Sequence, residues 1–165
     1  MFRSGDFVVY GAHGVCRVAG FENQTVNRKK TEFMILEPLS HPESKYYVPT
    51  QNPVALSKVH AVLANNELES LLRSDDIRSG TLLREENIRK QMYRDLISSG
   101  NRNEILKMIY TLYRFREDQM SAGRKFHLCD ENFLRDVERL MSSEIALVMG
   151  LAESEACEFL WEQLK

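Results

Sequence analysis

Near residue 60 the hydrophobic pattern of this chain changes period, and no single layer of regular structure can absorb both halves. Before that point apolar and β-branched residues alternate in short runs at 6–10, 15–21, 32–37 and 45–48, with a weaker fifth at 56–59, the pattern of half-buried strands. Pro38, Pro42, Pro49 and Pro53 fall between or at the ends of those runs, where a missing N–H does least harm. From about Asn65 onward the apolar positions recur at helical spacing instead. The chain is therefore predicted to be α+β, with a strand unit over 1–62 and a helical unit over 63–165.

Sixty residues of strand bury little surface, so the first unit is expected to close its sheet into a small SH3-like or Tudor-like β-barrel, which removes open edges. Its opening run, Gly5-Asp6-Phe7-Val8-Val9-Tyr10-Gly11-Ala12-His13-Gly14-Val15-Cys16-Arg17-Val18, reads as two strands around a tight turn, with Gly11 and Gly14 supplying backbone freedom. Phe7, Val9, Val15 and Val18 are its alternating aliphatic positions, and Cys16 is expected in the core as a small apolar residue. In the second unit Asn65 or Asn66 is placed to cap a short helix bearing Leu68, Leu71 and Leu72, and 73–80 reads as a loop. Ile88, Met92, Leu96 and Ile97 share one face of a helix ended by Gly100, with a core role expected for Ile88. A third helix carries Ile105, Ile109, Leu112 and Tyr113; Ser121 is then expected to cap a long element running from Phe126 to Val148, and Gly150 precedes a last helix anchored by Phe159, Leu160 and Trp161. Four or five such helices on short connections form a compact bundle.

With 43% hydrophobic and 28% charged residues, no membrane-length apolar run and no signal-peptide core at the start, a soluble cytoplasmic protein is expected. Cys16, Cys129 and Cys157 are distant and unpaired in pattern, which points to reduced thiols. His127 and Cys129 lack a third ligand at metal spacing, and a Cys16–His13 nucleophile has nothing to orient its histidine. Without a phosphate loop or nucleophile elbow, neither an enzyme, a cofactor, a metal nor a small-molecule substrate is expected. The net charge of −2 is unevenly spread: residues 84–125 carry ten Lys/Arg against six acids, and residues 130–165 three against nine. A basic middle can meet phosphates, although charged helix faces are more often only solvated.

Gly5-Asp6-x-Val8-Val9-Tyr10 followed by His13-Gly14-Val15, with Tyr46-Tyr47-Val48-Pro49, resembles the N-terminal domain of the CarD/CdnL family of bacterial RNA-polymerase-binding regulators, a domain shared with transcription-repair coupling factors. Met120-Ser121-Ala122-Gly123-Arg124-Lys125, then Leu128, Leu140, Glu144 and Ala146, is similar to motifs of the family's helical domain. The resemblance implies a Tudor-like domain docked on the polymerase β subunit and a helical domain on promoter DNA at the upstream edge of the melted region. The family's polymerase-contacting positions fall on Gln24, Val26 and Tyr47, with Arg28, Lys29, Lys30 and Lys45 as nearby cations. The family's wedging tryptophan is missing: its place lies in the stretch Glu85-Glu86-Asn87-Ile88-Arg89-Lys90, and the one tryptophan is Trp161. Ile88 is the substitute wedge, and Arg89, Lys90, Arg94, Arg124 and Lys125 are the phosphate-contact candidates. The competing expectation is an adaptor that binds polymerase or another partner without touching DNA.

Overall fold

The computed structural model describes residues 1–165, which form two compact units, Met1–Val62 and Leu63–Lys165. The first unit is the antiparallel five-stranded unit expected, although the ladder that would close it into a barrel is not formed. Its strands are β1 (Phe7–Tyr10), β2 (Val15–Val26), β3 (Lys29–Pro38), β4 (Tyr46–Pro49) and β5 (Val59–Ala61), in the order β4-β3-β2-β1-β5. No ladder joins β4 to β5: the two strands end the sheet, and a helical turn α1 (Pro53–Leu56), capped by the Asn52 side chain on the N–H groups of Val54 and Ala55, leads from one to the other.

The turn between β1 and β2 is a single 3-10 turn over Gly11–His13, left through Gly14 at φ 75°, where a residue with a Cβ would be strained. Val9, Val15 and Val18 are buried as the sequence reading implies, but Val8 is buried as well and Phe7 is not. Val8 pairs with Cys16 in the core with Val18, Met34, Leu36, Val48 and Val59, whereas Phe7 pairs with Arg17 and is exposed. The β2–β3 hairpin is longer than its hydrophobic runs. Asn27 and Arg28, both at positive φ, make a two-residue turn that lets Val26 pair with Lys29. Residues 22–30 are polar on both faces except for Val26, so no alternation marks them as strand.

The helical unit consists of α2 (Asn65–Arg73), a 3-10 turn over Asp76–Arg78, α3 (Glu86–Ser99), α4 (Arg102–Ser121), α5 (Leu128–Met149) and α6 (Glu153–Leu164). Leu68, Leu72, Ile105, Ile109, Leu112, Phe133, Val137, Met141, Ile145 and Leu160 belong to one buried cluster. Gly100 and Gly150 end α3 and α5 at φ 68°, in the left-handed conformation that favours glycine. Three sequence expectations change here. Asn65 is the first residue of α2 and caps nothing; Ser121 is the last residue of α4, and α5 starts only at Leu128 after a connection through 122–127. The presumed loop at 73–80 contributes Ile77, fully buried, to the core. Arg78 fixes this segment, its guanidinium donating to the carbonyls of Leu72, Ser74 and Gln163. Those acceptors end α2 and lie in the last turn of α6, so one cation serves two helix C-termini.

Gly80 passes so close to α4 that a Cβ there would lie 2.5 Å from Thr111 Oγ1 and 2.8 Å from Lys107 Cγ. Thr111 cannot turn away freely, because its hydroxyl donates to the Lys107 carbonyl. Gly80→Ala is expected to lower the urea midpoint of the helical transition by an amount equivalent to about 1–3 kcal/mol. Thr111→Ala in the same chain should recover part of the loss.

Candidate interaction surfaces

Cross-strand pairing sets which side chains share a face. On β2, β3 and β4 the pairs Gly20–Ile35, Glu22–Phe33, Gln24–Thr31 and Val26–Lys29, together with Ile35–Tyr47 and Phe33–Pro49, lie on the side opposite the core. Gln24 and Val26 on β2 and Tyr47, about twenty residues further along the chain on β4, are therefore brought to one face. Tyr47 is 45% exposed and Val26 42%, and Phe33 meets Tyr47 edge to face at 6.4 Å. Arg28 stands in the turn beside Val26, and Lys45 immediately precedes β4; both are exposed. The result is a half-apolar sheet face with cations at its margins, next to the unpaired edge of β4.

His13 and Cys16 do not form a reactive pair. The Cys16 thiol is buried and donates to the Gly14 carbonyl, and burial pushes its pKa up to about 12, so it is protonated at neutral pH. The His13 ring lies against Tyr46, with centroids 4.1 Å apart, and against Tyr10 at 5.1 Å. Partial burial moves the His13 pKa down, favouring the neutral ring.

In the helical unit the phosphate-contact candidates separate. Arg89 is 4% exposed: Nε and Nη2 donate to Asp130 at 3.0 and 2.8 Å, and Nη1 donates to the carbonyls of Leu83 and Arg84. Its side chain is turned into the bundle and is not available to a phosphate, which corrects its assignment as a surface contact. The Tyr93 hydroxyl donates to the same carboxylate, and the Tyr93 ring stacks on Phe133 at 3.9 Å. Burial and the neighbouring carboxylate push the Tyr93 hydroxyl pKa well up, while the hydrogen bonds to Asp130 hold the Arg89 guanidinium charged.

The other candidates stay outside. Lys90 pairs with Glu86 at 3.2 Å across one helical turn and keeps 40% of its side chain exposed. Arg94, one turn further, is exposed beside Gln91. Arg124 and Lys125 are exposed in the connection after Gly123, which turns at φ 70°. Lys90 and Cys129 hydrogen-bond Glu86 and push its carboxyl pKa down, so the start of α3 and the start of α5 meet at this end of the unit. Ile88 is 52% exposed and lies outside the buried cluster, against the core role expected from its spacing to Met92 and Leu96.

Two carboxylates are buried without the sequence pattern marking them so, one of them the Glu144 of the family-like run. Besides Asp130, Glu144 is 2% exposed and accepts hydrogen bonds from Arg102 Nε and Nη2 and from the Leu63 backbone N–H. The contrast between a basic middle and an acidic C-terminal stretch is thus partly internal pairing, since Arg89 and Arg102 meet acids of α5. Trp161 packs on Tyr113 with ring centroids 4.5 Å apart, and Arg116 lies over both rings, which holds α6 on α4 as its aromatic character suggests.

The first unit thus presents a partly apolar sheet face, and the helical unit follows it in the chain. Residues 2–60, nearly the whole of the first unit, match the family model described as CarD-like/TRCF RID domain. No helix of the chain is long and apolar enough to cross a membrane.

Proposed function

We propose that this protein is a bacterial, cytoplasmic transcription regulator that docks on the RNA polymerase β subunit through the outward face of β2–β3–β4. In this reading Gln24, Val26 and Tyr47 make the contact, with Arg28 and Lys45 at its rim. The helical unit then offers Lys90, Arg94, Arg124 and Lys125 to the phosphates of promoter DNA at the upstream edge of the melted region. A protein that holds polymerase and the distorted duplex together binds the open state better than the closed one, and only that difference shifts the equilibrium. The protein acts by binding, without catalysis, cofactor or small-molecule substrate. The observation that carries the reading is the convergence of Gln24, Val26 and Tyr47 on one exposed face of a domain that matches the CarD-like family.

A second reading, an adaptor that never touches DNA, is favoured by the engagement of Arg89 and Arg102 with Asp130 and Glu144. Salt titration of binding to an upstream-fork duplex separates the two. With the four exposed cations on phosphates, log K should fall against log salt with a slope of about −3 to −4, and the double variant Arg124→Ala/Lys125→Ala should flatten it by about 2. The adaptor reading predicts no binding even at low salt.

A further inference from the structure

Between α3 and the first turn of α4 lies an open groove of about 720 Å³ that neither the sheet face nor the cationic edge uses. Its floor is the stripe Ile88, Met92 and Leu96, spaced four residues apart on α3. Met92 and Leu96 rest one side on the buried cluster, whereas Ile88 contributes to no core and is 52% exposed. The rim carries Asp95 and Glu104, and no lysine or arginine lines the groove. Asp95 meets only a neutral amide, from Gln91 at 3.1 Å, and Glu104 is met by Lys107 at 3.4 Å, so both carboxylates keep acceptor capacity.

We propose that this groove is the docking site for a cationic amphipathic helix of a partner protein. A stripe at helical spacing is complemented by apolar anchors at i, i+3, i+4 and i+7 of another helix laid along it, with Lys or Arg of that helix reaching the rim carboxylates. The same charge pattern argues against the other occupants. A second copy of this face brings Asp95 and Glu104 against the same acids, with only Lys107, already engaged by Glu104, nearby, and a nucleic-acid backbone meets two carboxylates of which Asp95 has no cation beside it. Ile88 is then an anchor for protein, while Arg94 stands beside Gln91 at the edge of the groove and Lys90 is paired with Glu86. The inference goes beyond the polymerase and DNA contacts and does not depend on them.

The test uses the full chain and three synthetic helical peptides of about four turns: one with leucines at i, i+4, i+7 and i+11 flanked by lysines, a twin flanked by glutamates, and a lysine twin with the leucines scrambled. Methyl NMR shifts should locate the first peptide at Ile88 and Met92. Ile88→Glu, at an exposed position, should leave the urea midpoint unchanged and weaken that peptide at least about tenfold, as should either twin. Asp95→Asn should reduce the salt dependence of its binding. Failure of the first peptide to bind, unchanged affinity in Ile88→Glu, or shifts elsewhere overturns the proposal. Self-association abolished by Ile88→Glu, or Ile88 methyl shifts on adding fork duplex, also overturns it by assigning the groove to a second copy or to DNA. Polymerase capture, read on the same variant, belongs to the first unit and tests the proposed function separately.

Discussion

Replacing Asp130 with Ala is expected to lower the stability of the helical unit by about 3–5 kcal/mol. The carboxylate is fully buried and receives Arg89 through two nitrogens and the Tyr93 hydroxyl. Without it the guanidinium stays in the interior with Nε and Nη2 deprived of their acceptor, and Tyr93 loses its acceptor while its ring remains clamped on Phe133. Arg89→Ala should cost a comparable amount, because it strands Asp130 and also releases the carbonyls of Leu83 and Arg84. Lys90→Ala and Arg94→Ala, on the outer surface of the same helix, should each stay within about 0.5 kcal/mol of the parent. Urea denaturation followed by far-UV circular dichroism measures all four. The joint replacement Arg89→Met/Asp130→Leu should return most of the lost stability, since a buried ion pair is often exchanged for apolar contacts at little net cost. An Asp130→Ala midpoint close to that of Lys90→Ala would show that the pair does not hold α3 to α5.

This contrast explains why the cationic residues were harder to read than the fold. Arginine on a helix has the same appearance in a sequence whether it faces water or a carboxylate, so Arg89 and Arg94, five residues apart, were indistinguishable by type. The discriminating signal lay in the other partner. Asp130 and Glu144 stand in the same stripe as Phe133, Val137, Met141 and Ile145 on α5, where apolar residues are expected. An acid in such a stripe requires a buried cation. Arg89 and Tyr93 on α3, four apart, are both buried and form its complement.

Elsewhere legibility followed burial of one face. The strands with a core side, such as Met34 and Leu36 against exposed or half-buried neighbours, were visible through alternation, and the helix ends at Gly100 and Gly150 were visible through backbone demands that only glycine meets readily. The far half of the β2–β3 hairpin was not, because residues solvated on both faces carry no periodic signal and the positive-φ turn uses Asn27-Arg28 with no glycine. The misplacement of Ser121 has a similar cause. A hydroxyl residue after one apolar stripe and before the next fits a helix cap by type, but here α4 runs through it and stops in the following residues, with Gly123 at positive φ.

Tyr47→Asp is expected to weaken capture of the isolated polymerase β-subunit lobe by at least about 30-fold, or about 2 kcal/mol, while the first unit stays folded. Tyr47 stands on the edge strand of the exposed face: it pairs with Ile35, lies edge to face against Phe33, and is 45% exposed, the combination of a large aromatic body and an accessible position found in interface anchors. Aspartate removes that area and places a charge above two apolar side chains that a partner must desolvate. The fold should tolerate the exchange, because the core position in this strand is the neighbouring Val48, which is fully buried and faces the other way. Near-UV and far-UV dichroism of the variant check that it does. Lys45→Ala, at the margin, should change the salt dependence and association rate of capture more than its dissociation rate. If Tyr47→Asp leaves capture intact while the sheet remains folded, the polymerase contact lies on another surface, and the shared face of Gln24, Val26 and Tyr47 has no part in it.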